Sequence, residues 1–187
     1  MGYTPRFVAG AVAEAWFAEL RETVPWKAER RRMYDRDVDV PRLTAHYRLG
    51  PDEAPPPPAV RAAAEHVIAK IGVAFNGVGL NLYRDSRDSV APHNDHLYEL
   101  VEGFPIALLS LGGTRRMTIR AKEPPRPALH VDLEPGSLLL MSYATQLHYT
   151  HGVPKTREPV GPRISVVFRV KPARSDSGED AAGTYYR

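Results

Sequence analysis

The sequence predicts an α+β chain, mainly β, in which two helices near the start precede antiparallel strands that close into a barrel or sandwich. Three observations carry this. Apolar residues recur at helical spacing in two stretches before residue 72. Beyond about residue 78, short apolar or alternating runs follow one another, separated by Gly, Pro, Asn and Asp. Finally, 18 prolines and 14 glycines in 187 residues call for many turns between short elements, since Pro is typically ~5% of a chain.

Residues 7–24 set Val8, Val12, Trp16, Leu20 and Val24 four apart with Phe17 beside them, an amphipathic helix whose apolar stripe must pack on something. Glu14 and Glu19 interrupt it and no cationic run with a cleavage site precedes it, so neither a membrane span nor an export signal is expected and the setting is read as cytoplasmic. Arg6 stands where an N-myristoylation signal wants Ser or Thr. The stretch Lys27 to Arg48 alternates charge with aromatic residues, and Gly50–Pro58 ends in four prolines, which makes it a loop. A second helix follows from Ala59 to Ile71 on Val60, Ala64, Val67, Ile68 and Ile71, stopped by Gly72. Strand-like runs then occur at Gly79–Tyr83, Pro105–Leu111, Met117–Arg120, Leu129–Leu133, Ser137–Met141 and Ile164–Val170. The expected organisation is one domain over 1–173, with 1–77 a helical and lid segment and 78–173 the strand core, followed by a mobile tail at 174–187 that shows no periodicity.

A chain with no Cys excludes disulfides, thiolate zinc sites, iron–sulfur clusters and cysteine nucleophiles together, and fits a reducing compartment. Any metal must be held by His and carboxylates. His93 and Asp95 are two apart, so on an extended segment both point the same way and can grip one ion. A distant His would complete a facial triad of two His and one carboxylate with open positions, as non-heme Fe(II) requires. Spacing alone leaves His96, His130, His148 and His151 as candidates, and a hydrolytic zinc site could use the same ligand set.

Arg163 and Arg169 differ by six, so on a strand they share a face with Ser165 and Val167 while Ile164, Val166 and Phe168 face the core. Two inward arginines are costly unless each meets an anion, and a dicarboxylate would satisfy both. An exposed cationic strip on an edge strand gives the same pattern and, on these residues alone, is the commoner case. Asn81 and Tyr83 likewise share a face, offering an amide and a phenol to a polar ligand.

Taken in order, MYDRDVDVPRLTAHY, NLYRDSRDSVAPHND, PIALLSLGGTRRM, EPGSLLLMSYATQLHYTHGVPK and PRISVVFR resemble the AlkB family of Fe(II)- and 2-oxoglutarate-dependent dioxygenases, its nucleic-acid repair demethylases in particular. The resemblance implies a double-stranded β-helix (jelly-roll) core with N-terminal flanking helices. It implies His151 as the third iron ligand beside His93 and Asp95. It also implies Asn81, Tyr83, Arg163, Ser165 and Arg169 as contacts of 2-oxoglutarate, with Arg163 at the distal carboxylate and Arg169 at the chelating end. Ser165 replaces an Asn common in relatives. Fe(II), 2-oxoglutarate and molecular oxygen are the implied cofactor and co-substrates, and the implied partner is alkylated DNA or RNA, acted on by a monomer with no membrane and no obligate protein partner. An N-methyl group on a base such as 1-methyladenine or 3-methylcytosine would be hydroxylated and lost as formaldehyde, with succinate and carbon dioxide formed beside it. Tyr47 matches a position where relatives stack a ring on an extruded base; Tyr34, Arg36 and His96 are further implied substrate contacts. One departure stands out: His96 and Leu97 replace the acids that repair members carry after the HxD, which opens the alternatives of a protein or small-molecule substrate, or a catalytically silent binding barrel.

Charge is uneven. Residues 27–48 hold seven Lys or Arg against four acids (+3), 114–126 five against one (+4), and 84–102 two against five (−3). Two basic rims around an acidic metal mouth would attract phosphates while keeping a cation.

Overall fold

The computed structural model describes residues 1–33 and 35–173, so the expected tail at 174–187 lies outside the described residues. Two helices form where the periodicity places them. The first, α1 (Gly10–Thr23), buries Ala13 and Leu20. Val12 is 40% exposed, because a spacing of four outruns the 3.6-residue turn and the inward stripe passes to Ala13. The second, α2 (Pro58–Ile71), opens on a proline, whose missing N–H is no loss there, and ends on Gly72 at φ 73°, the left-handed conformation that glycine adopts without strain. Glu19 of α1 accepts a hydrogen bond of 2.8 Å from the Ala59 amide, one of the unsatisfied donors at the start of α2.

Both helices cover one face of a seven-stranded sheet. Its strands are β1 (Gly2–Thr4), β2 (Lys27–Met33), β3 (Arg36–Arg48), β4 (Gly77–Tyr83), β6 (Ile106–Gly112), β9 (Leu138–Met141) and β11 (Arg163–Arg169), in the order β1-β9-β6-β11-β4-β3-β2. The core between helices and sheet gathers Leu20, Val60, Val67, Leu80, Leu82, Leu109, Ile164, Val166 and Phe168. A second, four-stranded sheet, β5 (Val90–His93), β10 (Tyr149–Val153), β7 (Arg115–Ala121) and β8 (Ala128–Leu133) in that order, packs against the other face. Between the sheets lies a second core of Tyr83, Ile106, Leu108, Met117, Ile119, Leu133, Leu139, Met141, Val153 and Val167. A short helix α3 (Tyr143–His148) leads into β10. None of the described helices is long and apolar enough to cross a membrane.

The segment before residue 78 is more than helices and a lid. It contributes three strands, and β2 and β3 form a hairpin that extends the large sheet beyond β4. Within β3, Leu43, Ala45 and Tyr47 pack on the helix-side core while Thr44 and His46 fill the intervening positions, so the apolar signal is thin.

Candidate metal centre

β-strand alternation delivers the site to the gap between the two sheets. On β11, Ile164, Val166 and Phe168 enter the helix-side core, which leaves Arg163, Ser165, Val167 and Arg169 facing the small sheet. On β4, Asn81 lies opposite Ser165 and Tyr83 opposite Arg163. From the small sheet, His151 on β10 is the direct neighbour of His93 at the end of β5. Their ring centroids are 4.5 Å apart. Asp95 follows β5 and brings Oδ1 to 3.9 Å from His93 Nε2. One ligand atom from each of His93, Asp95 and His151 fits within 4.8 Å of the others. That is a three-point grip from one side, as a facial triad needs.

Each member is held by the fold. His93 Nδ1 lies 2.9 Å from the Ala91 carbonyl, which orients the ring. The amide of Asp95 donates to Gln146 Oε1 at 2.9 Å, and Gln146 is itself fully buried on α3. Arg169 Nε donates to Asp95 Oδ2 at 2.6 Å. Burial alone would raise the Asp95 carboxyl, but the Arg169 charge and hydrogen bond outweigh it and hold the group well below the usual carboxylate range. Burial, then the neighbouring charge of His93, push His151 down to about 4. Burial also lowers His93. Near neutral pH the group therefore presents two neutral imidazoles and one carboxylate, the protonation state in which these side chains bind metal.

Farther in, Arg163 is fully buried and its Nε donates to Ser110 Oγ at 2.8 Å. Its Nη1 and Nη2 have no hydrogen-bond partner among the described residues. Asn81 is pinned from both ends: Arg42 Nε donates to its Oδ1 at 2.8 Å, and its Nδ2 donates to Ser165 Oγ at 3.3 Å.

These distances sit on a chain whose relatives are informative. A family model described as the 2OG-Fe(II) oxygenase superfamily matches residues 1–169. Human alpha-ketoglutarate-dependent dioxygenase alkB homolog 3 is 34% identical over 182 residues, covering 88% of this chain and 64% of that protein. Human DNA oxidative demethylase ALKBH2 is 31% identical over 179 residues, covering 85% of this chain and 69% of its own length. The chain belongs to the AlkB family of 2OG-Fe(II) oxygenases. The solved structure of OsALKBH1 aligns with a TM-score of 0.63 at 16% identity over 90% of this chain and 96% of that one, a likeness of fold, and the jelly-roll expectation holds. The chain spans 64% of the length of its alkB homolog 3 relatives.

The AlkB family's Fe(II) and 2-oxoglutarate suit what the residues present. Three convergent ligands could hold a cation, and a buried guanidinium whose Nη1 and Nη2 have no hydrogen-bond partner among the described residues suits an anion. Of the expected site residues, His93, Asp95, His151, Asn81, Tyr83, Arg163, Ser165 and Arg169 come together in the gap between the sheets. His96 lies beside the group, its ring stacked on Tyr98 with centroids 5.1 Å apart. Tyr47 is not brought there. It packs against the helix-side core, where burial raises its phenol and leaves Oη without a hydrogen-bond partner among the described residues. The reason is parity: Tyr47 shares its face of β3 with Leu43 and Ala45, which pack on the helix side, while Arg42 reaches Asn81 and His46 lies beside Arg169 over Gly79. Tyr34 and the side chain of Arg36 lie outside the described residues. Sequence reasoning missed Gln146, Ser110, Arg42 and His46; only the β3 pair carried a signal, being of the same parity on one strand.

Proposed function

We propose that this chain is an oxidative demethylase of N-alkylated nucleobases, with 1-methyladenine and 3-methylcytosine in DNA or RNA as substrates. The observation that carries it is the pairing, in one gap, of the His93, Asp95 and His151 group with the unneutralised head of Arg163. The names of its relatives, a DNA oxidative demethylase among them, support the nucleic-acid substrate.

In this reading His93, Asp95 and His151 would hold Fe(II). Arg163 would receive the distal carboxylate of 2-oxoglutarate and Arg169 would serve its keto-acid end, while Arg169 keeps Asp95 ionised and aimed. Asn81, fixed by Arg42 and Ser165, and Tyr83, backed by the inter-sheet core, line the walls. Iron held there would supply the oxidising chemistry that couples co-substrate decarboxylation to hydroxylation of the N-methyl carbon. The chain's own residues position the reactants. We read the protein as a monomer that needs no obligate protein partner, which light scattering after size-exclusion chromatography checks.

The test is to incubate purified protein with Fe(II), ascorbate, 2-oxoglutarate and a 3-methylcytosine oligonucleotide, with a methylated protein as control. Formaldehyde and succinate with the oligonucleotide are expected. Turnover with the protein alone would favour the second reading, an AlkB-family oxygenase of another substrate, which His96 and Leu97 after the HxD motivate. No turnover with either would defeat the enzymatic reading.

A further inference from the structure

Arg115 opens β7 on the small sheet and is 2% exposed. Its guanidinium makes three hydrogen bonds, all to uncharged backbone carbonyls: Nη1 donates to Asp85 at 3.0 Å, and Nη2 donates to Asp88 at 2.7 Å and to Pro154 at 2.7 Å. The nearby carboxylate of Asp88 is engaged by Arg84, from both Nε and Nη2. Arg115 thus keeps a buried charge with no carboxylate hydrogen-bonded to it. Its Cζ lies 5.5 Å from the centre of the Tyr83 ring, and the Cζ of Arg163 lies 5.2 Å from the same centre. Two buried cations therefore flank one phenol ring. Burial disfavours the charged form of Arg163; Tyr83, lying between, works the other way, and the charge of Arg115 adds to the effect of burial. Tyr83 favours the charged form of both, and Asp88 and Asp85 favour that of Arg115, so Arg163 is left with the larger uncompensated cost, which an anion at its head would offset.

We propose that Arg115 is a positioning residue for the distal carboxylate of the co-substrate, making that end of the pocket a two-cation site around Tyr83. The proposal rests on the reading of the Arg163 pocket as the seat of 2-oxoglutarate. Arg115 acts in two ways. Its charge adds to the field at Arg163. Its hydrogen bonds tie the 85–88 turn, which follows the strand bearing Asn81 and Tyr83, to Pro154, which follows the strand bearing His151.

A plain structural clamp would have the same contacts, so the test must separate the two. Full-length protein loaded with Mn(II) is titrated calorimetrically with 2-oxoglutarate and with 2-oxopentanoate, which has the same keto-acid head and no distal carboxylate. For Arg115→Met, 2-oxoglutarate is expected to weaken by about tenfold and 2-oxopentanoate by less than about twofold. Arg115→Lys, which keeps the charge, is expected to recover most of the 2-oxoglutarate affinity. Equal weakening of both ligands, or of neither, overturns the proposal. Should Arg115→Met fail to fold, the ratio of the two affinities in Arg115→Lys decides: near wild type upholds the role of charge, and a ratio fallen by about tenfold overturns it. If the wild-type protein binds neither keto acid, the co-substrate reading itself has failed, a result distinct from failure at Arg115.

Discussion

Asp95 shows how much one side chain can be asked to do. Its Oδ2 accepts from Arg169 at 2.6 Å while its Oδ1 lies 3.9 Å from His93, so it is an ion-pair partner on one edge and a candidate metal ligand on the other. Asp95→Ala is expected to abolish turnover and Mn(II) binding while leaving the far-UV circular dichroism unchanged; full activity in that variant would break the metal assignment. Arg169→Ala is expected to raise the half-saturating 2-oxoglutarate concentration. His151 carries a pH consequence. Its folded value, about 4, lies below the ordinary 6.5, so the unfolded chain binds more protons between those values. Stability of the metal-free protein is then fully present above about 6.5 and is lost as pH falls through about 4, by on the order of 3 kcal/mol. Melting temperature against pH should fall across that window, and less steeply in His151→Gln. At this scale the ligand types and the inward arginines were legible, because parity on a strand is a local property. Gln146 and Ser110 were not, since their roles exist only once α3 and β6 are packed beside Asp95 and Arg163.

Among the elements, β4 illustrates a strand shaped by what lies across it. A Cβ on Gly79 would stand 3.1 Å from Arg169 Nη1 and 3.4 Å from His46 Nδ1, so the bare backbone lets Arg169 lie flat on its way to Asp95. Gly79→Ala is expected to raise the half-saturating 2-oxoglutarate concentration by roughly tenfold, through displaced Arg169 and with little loss of melting temperature. In α1 the exposed Val12 and the fully buried Leu20 make a matched pair. Leu20→Ala should cost ~2–5 kcal/mol in denaturant unfolding, and Val12→Ala within ~0.5 kcal/mol. Continuous apolar runs such as 106–112 and 138–141 were readable as strands. β2, β3, β5 and β10 were not, because charge, proline, histidine and glycine dominate them and their order comes from neighbours rather than from propensity.

For the whole molecule, a count of charges overstates the basic rims. The +4 of residues 114–126 includes Arg115, which is buried, and Arg116, which is paired with Asp132 at 2.7 Å, so about +2 is left outward once those two are set aside. Binding of a methylated single strand should accordingly weaken with salt on a shallow slope, measured as log Kd against log salt between ~50 and ~200 mM. Pairing across strands is what composition cannot display. The division of labour between the sheets has a further consequence. His93 and His151 belong to the small sheet and Arg163 and Arg169 to the large one, with Asp95 touching His93 on one side and Arg169 on the other. Metal and co-substrate together would act as a pin through two plates, and backbone amides of β5 and β10 should exchange with deuterium more slowly once both are added, while those of α1 and α2 keep their rates.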